Sequence, residues 1–136
     1  MRLTIEKVLI LKSVNIFSKM PDDVLMEVTS ILEEIEVEAG ENIFQKGDVG
    51  TSMYIVIRGQ VRVHDGERTL ATLKDSEVFG ELAVLDTEPR AASVTAVANT
   101  SLFRLEQNAF YELMTEHIEV VRGLFRVFCK RFREKS

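Results

Sequence analysis

The sequence is poor in the residues that build disulfides, metal sites and nucleic-acid surfaces. Its one cysteine, Cys129, excludes an internal disulfide and is typical of a reducing compartment. Two histidines, His64 and His117, with that single cysteine do not supply the ligand set of a zinc site. The formal net charge of −5 lacks the basic excess that sequence-independent nucleic-acid binding needs. An anionic ligand would therefore have to be attracted by a local group of the protein.

Long apolar runs are also missing. No run reaches the length that spans a membrane, and charged residues at Glu6, Lys7 and Lys12 interrupt the N-terminal apolar residues, so we predict no secretory signal. Internal repeats, low-complexity stretches and linker-like segments are absent as well. The length of 136 residues then predicts one domain over residues 1–136. We predict that it is cytoplasmic, or on the cytoplasmic side of a membrane protein if it is a fragment of a longer chain.

Apolar residues at helical spacing occur near both ends of the sequence. Pro21 and the two acidic residues after it are typical of a helix start, since proline suits the first turn and acids suit its positive end. We therefore predict N-terminal helices within residues 3–32. A first C-terminal helix starting at residues 106–108 and a longer one after His117 are predicted within residues 106–134.

Between residues 34 and 105 the apolar pattern has a period of two, which predicts β-strands. The strands are short and are separated by glycine turns. Asp65-Gly66 predicts a hairpin, and the runs at 93–98 and 100–105 predict a last hairpin around Asn99. This pattern predicts an antiparallel sandwich, roll or barrel.

One stretch in this region, residues 79–93, carries the chemistry of an anion site. Gly80 lets the backbone approach a ligand, and Glu81 beside it can accept a hydrogen bond from a sugar hydroxyl. Residues 82–85 can form a helical turn whose free N–H groups point at an anion. Arg90 supplies a forked, permanently charged donor suited to phosphate. The stretch predicts a site for a sugar phosphate; the alternative is a loop with a surface Glu81–Arg90 ion pair.

The same residues resemble a known motif. Phe79-Gly80-Glu81-Leu82-Ala83, followed by Pro89-Arg90-Ala91-Ala92-Ser93, resembles the phosphate-binding cassette of the cyclic nucleotide-binding domain family. That family includes regulatory subunits of cAMP-dependent protein kinase, cyclic-nucleotide-gated channels and bacterial catabolite activators. The resemblance extends upstream through residues 47–50 and 54–63 and covers most of residues 15–130. It implies a mainly β fold, an eight-stranded antiparallel β-roll over residues 34–105, with N-terminal helices and two C-terminal helices.

The resemblance also implies a role for each residue of the cassette. Glu81 would bind the ribose 2′-hydroxyl, and Arg90 would neutralise the cyclic phosphate with help from the amides of Ala83 and Ala91. The remaining residues expected at the ligand are Gly80, Leu82 and Ala92 in the cassette, and Val63, Leu70 and Ala71 on the base side.

The last helix would close over the base as a lid in such a domain. The candidates for that capping contact are Val121, Leu124, Phe125 and Phe128. An equally simple interpretation of these residues is core packing or a helix–helix interface.

Two departures from the family pattern lie in turns. Ser76-Glu77 stands where the family often has Gly-Asp, and Thr51 stands where a second Asp is common. Members selective for cGMP often carry threonine directly after the cassette arginine. Here that residue is Ala91, so cAMP is predicted over cGMP. No cofactor and no metal are expected.

The predicted function is a cAMP-binding regulatory domain that couples ligand binding to movement of the C-terminal helices. No catalytic set of residues is present, so no enzyme activity is predicted. The alternatives are a ligand-free β-roll acting as a scaffold or dimerisation module, and the sensor half of a transcription regulator. A metal-dependent cupin enzyme is disfavoured because it would want clustered histidines.

The sequence does not identify the effector that such a domain would regulate. The segment after Arg131 is too short to recognise DNA, so no direct nucleic-acid binding is expected from this segment. The last helix, rich in phenylalanine and basic residues, can pair with itself in a homodimer.

Overall fold

The alternating sequence between residues 33 and 106 folds into strands and the flanking sequence into helices in the computed structural model, which describes residues 2–135. Residues 32–108 form one unit, here called the strand unit, and residues 2–31 and 109–135 form the other, the helical unit. No helix formed by the described residues is long and apolar enough to cross a membrane. That residues 1–136 make up a single domain remains a prediction.

The strand unit contains two four-stranded antiparallel sheets and a two-stranded ribbon. The strand order is β1-β10-β4-β7 in the first sheet and β2-β9-β5-β6 in the second, and β3 pairs with β8 in the ribbon. The strands are β1 (Glu33–Val37), β2 (Asn42–Phe44), β3 (Val49–Gly50), β4 (Ser52–Arg58), β5 (Val61–Asp65), β6 (Arg68–Leu73), β7 (Val78–Phe79), β8 (Glu88–Pro89), β9 (Ser93–Ala96) and β10 (Thr100–Glu106).

The core of the strand unit joins the two sheets. Period-two alternation places one side of each strand inward, so that β4 and β10 of the first sheet meet β5 and β9 of the second. The buried cluster consists of Tyr54, Val56, Val61, Phe79, Val94 and Leu102. The eight strands of these two sheets confirm the predicted antiparallel β-roll with flanking helices.

The predicted hairpin between β5 and β6 is confirmed, but the predicted last hairpin around Asn99 is wrong. β9 pairs with β2 and β5, whereas β10 pairs with β1 and β4, so the chain changes sheets at Asn99. It also changes sheets at Gly59, between β4 and β5. The two crossings touch: a Cβ on Gly59 would lie 2.8 Å from the Thr100 Cα. Alternation predicts strands, but it does not distinguish a hairpin from a crossing between sheets.

Three two-residue strands were not predicted from the sequence: β3, β7 and β8. They are too short to show alternation, and their pairing depends on distant segments. The turn before β7 contains Ser76, whose φ of 71° lies in the left-handed region that favours glycine. The position where the family often has glycine therefore keeps a glycine-like backbone.

The helical unit contains α1 (Thr4–Lys12), α2 (Asp22–Ile31), most of α3 (Gln107–Glu116) and α4 (Ile118–Lys135). α2 begins directly after Pro21, as predicted. α1 ends at Lys12, and a series of turns over residues 13–20 joins it to α2. The apolar stripe of α2 is buried at Val24, Leu25 and Val28. Cys129 is exposed on α4.

Candidate functional site

A cavity of about 220 Å³ lies in the strand unit at the residues that the sequence singled out. Its lining includes two residues that were not predicted, Phe44 and Val94. It brings together most of the predicted ligand contacts: Val63, Gly80, Glu81, Leu82, Ala83, Arg90, Ala91 and Ala92.

Leu70 and Ala71 lie on β6 and are not part of this lining. Ala71 pairs with Val63, which does line the cavity, and Leu70 is 50% exposed. The part that each of these residues plays toward a ligand remains a prediction.

The floor of the cavity is formed by a 3₁₀ turn, Glu81–Val84, which confirms the predicted helical turn with a shift of one residue. Gly80 precedes it with a φ of 72°, a conformation that residues with a Cβ rarely adopt. The Ala83 N–H donates to the Gly80 carbonyl at 3.1 Å and closes the turn. Because Gly80 has no side chain, the turn approaches Arg90 closely.

Arg90 is held in place through both its backbone and its side chain. The Arg90 N–H donates to the Asp48 carbonyl at 2.7 Å, and the Gly47 N–H donates to the Arg90 carbonyl at 2.8 Å. The guanidinium lies 4.0 Å above the ring centre of Phe44, and its Nη2 donates to the Ser52 carbonyl at 2.8 Å. These contacts fix the position of the charge before any ligand arrives.

Two glycines make room for the Arg90 side chain. A Cβ on Gly50 would lie 2.3 Å from Arg90 Nε, and one on Gly80 would lie 2.7 Å from its Nη1. Neither distance is possible for a real side chain, so these glycines are required for the observed position of Arg90.

The Arg90 charge is only partly compensated by the protein. Burial lowers the pKa of the guanidinium, an effect that Tyr54, Asp48 and Glu106 oppose. Among residues 2–135, the ion pairs between side chains do not include one to Arg90. The alternative of a surface Glu81–Arg90 ion pair is therefore not found. Within residues 2–135 the hydrogen-bonded partner of the guanidinium is a neutral carbonyl, and a half-buried cation in this setting favours an incoming anion.

Glu106 accepts hydrogen bonds from the Ser52 side chain and from two neighbouring residues. Ser52 Oγ donates to its carboxylate at 2.6 Å, Thr51 Oγ1 at 3.2 Å and Arg104 Nε at 3.0 Å. Burial alone would raise the pKa of Glu106, but the hydrogen bonds from Ser52 and Arg104 outweigh it and lower the pKa. Glu106 is therefore a charged acceptor that holds the start of β4 beside the end of β10.

Gln107, the first residue of α3, links this helix to the 3₁₀ turn. Its Nε2 donates to the Ala83 carbonyl at 2.8 Å, and its backbone N–H donates to the Thr51 carbonyl at 2.9 Å. Thr87 Oγ1 donates to its Oε1 at 3.2 Å. The Gln107 side chain thus hydrogen-bonds to two residues, Ala83 and Thr87, of the segment between β7 and β8.

Sequence reasoning missed five contributors to this site: Phe44, Gly50, Ser52, Val94 and Gln107. Three of them lie 38 or more residues before Arg90, and the fold alone brings them to it. For Phe44 and Gly50, the sequence signal is their position on either side of Gly47-Asp48, and that signal is weak.

The lid candidates all lie on α4, in the helical unit. Leu124 is buried, Val121 and Phe128 are partly buried, and Phe125 is 66% exposed. Their contact with a bound base remains a prediction. Across residues 2–135, no group of three or more histidine, cysteine or acidic residues is placed to hold a metal ion.

The β-roll and its partly compensated arginine define a cavity whose charge suits a small anionic ligand. The family model described as the cyclic nucleotide-binding domain matches residues 34–117, and the chain belongs to this family. The resemblance stated from the cassette is confirmed.

Relatives and solved structures agree with this assignment. The Cyclic AMP receptor protein of Thermus thermophilus is 39% identical over 100 residues, which are 70% of this chain and 46% of that protein. The N-terminal domain of a Streptomyces coelicolor transcriptional regulator has a TM-score of 0.85 at 27% identity, covering 93% of this chain and 92% of that domain. The regulatory domain of Toxoplasma gondii PKA with cAMP has a TM-score of 0.73 at 31% identity, covering 81% of this chain and 44% of that one.

The first curated relatives are longer than this chain, which spans between 16% and 59% of their length. They are named as transcriptional regulators, kinase regulatory subunits and a channel. The relatives are thus regulatory proteins that carry such a domain as one part.

Proposed function

We propose that this chain is a sensor domain that binds cAMP in the cavity of the strand unit and regulates an effector. The observation that carries the proposal is Arg90, a half-buried guanidinium held at a cavity without an ion-pair partner among residues 2–135. An anion placed there offsets the cost of burying the charge. Relatives named for cAMP support cAMP as the ligand.

In the proposed complex, Arg90 binds the cyclic phosphate and Glu81 accepts a hydrogen bond from the ribose 2′-hydroxyl. The Ala91 N–H donates to the phosphate, and the Ala83 N–H shares its hydrogen between the phosphate and Gly80. The cavity volume of about 220 Å³ is smaller than the roughly 300–1,000 Å³ of typical ligand pockets. We therefore place the sugar phosphate inside, with the base reaching out along β5 and β6 toward Leu70 and Ala71.

The test is calorimetric titration of the purified chain with cAMP. Arg90→Ala is expected to weaken binding by about two orders of magnitude or more, since hydrogen bonds to a charged group are worth roughly 1.5–3 kcal/mol each. The matched control is Arg58→Ala, which removes an exposed arginine at the end of β4. No heat with cAMP, or equal loss in the two variants, would refute the proposal.

The same titration with cGMP tests the choice of base. Ala91 has no hydroxyl with which to bind guanine, so cAMP is expected to bind more tightly. Equal or tighter binding of cGMP would contradict this assignment and leave the cavity as a general cyclic-nucleotide site.

The ligand signal is proposed to leave the site through Gln107. The 3₁₀ turn and the start of α3 share this one side chain, so a shift of the turn toward a phosphate changes the hydrogen bonds at the base of α3. A ligand can shift the C-terminal helices only if it binds one arrangement better than the other. Ala83 is the point where such a difference arises, because its N–H faces the ligand and its carbonyl accepts from Gln107.

We propose no catalytic activity for this chain, and we place it in the cytoplasm or on the cytoplasmic side of a membrane protein. Two acidic residues line the cavity, Glu81 and Glu88, and Glu81 is assigned to ribose binding. Incubation of cAMP with pure protein should leave the nucleotide intact by chromatography. Appearance of AMP, absent from an Arg90→Ala preparation, would overturn this part of the proposal.

We also propose that α4 forms a homodimer. Ile118, Phe125 and Phe132 are spaced seven residues apart and are 58%, 66% and 76% exposed. Val121 and Phe128 fall between them, which completes the a/d pattern of a coiled coil. Sedimentation equilibrium is expected to show a dimer; only monomer at high concentration, with and without cAMP, would exclude it.

A further inference from the structure

A second and larger cavity, of about 490 Å³, lies within the helical unit. One wall is the series of turns between α1 and α2, and the other is one face of α4. No residue assigned to nucleotide binding lines it. Its chemistry therefore needs a separate explanation.

The floor of this groove is aliphatic. Ile16 and Met20 are 2% and 6% exposed, and Val127 of α4 lines the groove beside them. Gly123 brings α4 close to the turns, since a Cβ there would lie 2.6 Å from Met20 Cε and 3.1 Å from the Ile16 carbonyl oxygen. Methionine beside aliphatic carbons adapts to apolar side chains of different shape.

The rim of the groove is basic, although the chain has a net charge of −5. Lys19 and Arg131 flank a row of cations on α4 made of Arg122, Arg126 and Lys130. These three are four residues apart, so they lie on one face over about 12 Å. Among residues 2–135 none of the three is in an ion pair. Unpaired like charges in a row repel, and an acidic partner would relieve that repulsion.

Three further features of the groove indicate the kind of partner. Glu119 and Glu134 stand at the two ends of the cationic row, about 22 Å apart, and they would repel a long polyanion that ran past them. The lining has no aromatic side chain on which a base could stack, as single-stranded nucleic acids require. The groove is also concave, whereas a membrane surface calls for a flat or convex basic face.

We infer that this groove binds a short peptide segment of a partner protein in which acidic and aliphatic residues are interleaved. The carboxylates of the segment would pair with Arg122, Arg126 and Lys130, and its aliphatic side chains would pack on Ile16, Met20 and Val127. The interaction is separate from the nucleotide cavity, and it does not depend on the proposed function.

The test is fluorescence anisotropy on the full chain with a labelled eight-residue peptide of alternating glutamate and leucine. Binding with a Kd below about 1 mM at low salt is expected, and it should weaken severalfold as salt is raised. A peptide with glutamine in place of glutamate should bind at least about tenfold more weakly. No binding of the glutamate peptide up to that concentration, or equal binding of the two peptides, would overturn the inference.

The variants test the location. Arg126→Glu with Lys130→Glu is expected to weaken peptide binding at least about tenfold. The matched control, Arg58→Glu with Arg68→Glu, makes the same change of charge in the strand unit and should have little effect. Arg126→Gln with Lys130→Gln provides a milder pair if the charge reversal disturbs folding, with helicity checked by circular dichroism. Equal effects of the groove and control pairs, or tighter binding of an oligothymidylate of similar charge, would contradict the assignment.

Discussion

At the scale of single residues, the cavity depends on where side chains are absent as much as on where they are present. Gly50 and Gly80 leave the space that the Arg90 guanidinium occupies, and Phe44 supplies the face on which it rests. The conformation of Gly80 adds a second requirement, because its φ is positive. The two requirements can be separated experimentally.

Gly80→Ala and Gly66→Ala make this separation. Both glycines have positive φ, 72° and 59°, so each substitution is expected to lower the free energy of unfolding by about 1–2 kcal/mol. Only at Gly80 would the new Cβ meet Arg90, since nothing lies within 4 Å of that point at Gly66. Gly80→Ala should therefore also weaken cAMP binding, by about tenfold or more. Urea unfolding and calorimetry measure the two effects; equal affinity in the two variants would argue against a positioned Arg90.

The sequence contained enough to single out Glu81 and Arg90, because a carboxylate and an arginine in a glycine-containing stretch carry recognisable chemistry. It did not contain enough to find Phe44 or Ser52. A phenylalanine and a serine are ordinary strand residues until the fold places one below a guanidinium and turns the carbonyl of the other toward it.

At the scale of elements, strands with clear alternation were predicted within one or two residues, and helices were predicted where apolar stripes were strong. The connections were less predictable. The chain crosses between sheets at Gly59 and Asn99, and only pairing partners from distant segments distinguish such crossings from hairpins. The hydrogen bond from Gln107 of α3 to Ala83 of the cassette was not predicted for the same reason, since it joins segments that are distant in the sequence.

Gln107→Ala tests that link. Cyclic-nucleotide affinity is expected to stay within about tenfold of that of the wild type, because Gln107 does not line the cavity. What the substitution removes is the two side-chain hydrogen bonds of Gln107, with Ala83 and with Thr87. The change in hydrogen exchange of α3 on adding cAMP should be lost. Asn108→Ala, at the next and exposed position of the helix, is the control. A variant that keeps the exchange response of the wild type would rule out Gln107 as the coupling residue.

At the scale of the whole molecule, the chain has a strand unit with the cavity at Arg90 and a helical unit with the lid candidates. That α4 closes over the base remains a prediction. Apolar residues on α4 are explained equally well by a dimer interface. A test must therefore distinguish a lid residue from a residue of the dimer stripe.

Phe125 and Phe132 are suited to this comparison, since both belong to the seven-residue stripe and only Phe125 is a lid candidate. Phe125→Ala is expected to weaken cAMP binding by about tenfold, because covering a phenylalanine ring is worth roughly 1.5–3 kcal/mol. Phe132→Ala should change dimerisation but leave nucleotide affinity close to that of the wild type. Calorimetry measures affinity and sedimentation measures assembly; equal losses of affinity would assign both residues to the dimer alone.

The exposed thiol of Cys129 makes α4 directly observable. Because the sequence has no other cysteine, a maleimide dye or a nitroxide spin label attaches at one position of the unaltered chain. The label would sit one residue after the lid candidate Phe128 and on the helix whose movement defines the proposed signal. Changes in its emission or in label-to-label distance on adding cAMP would follow helix rearrangement and pairing in the natural sequence.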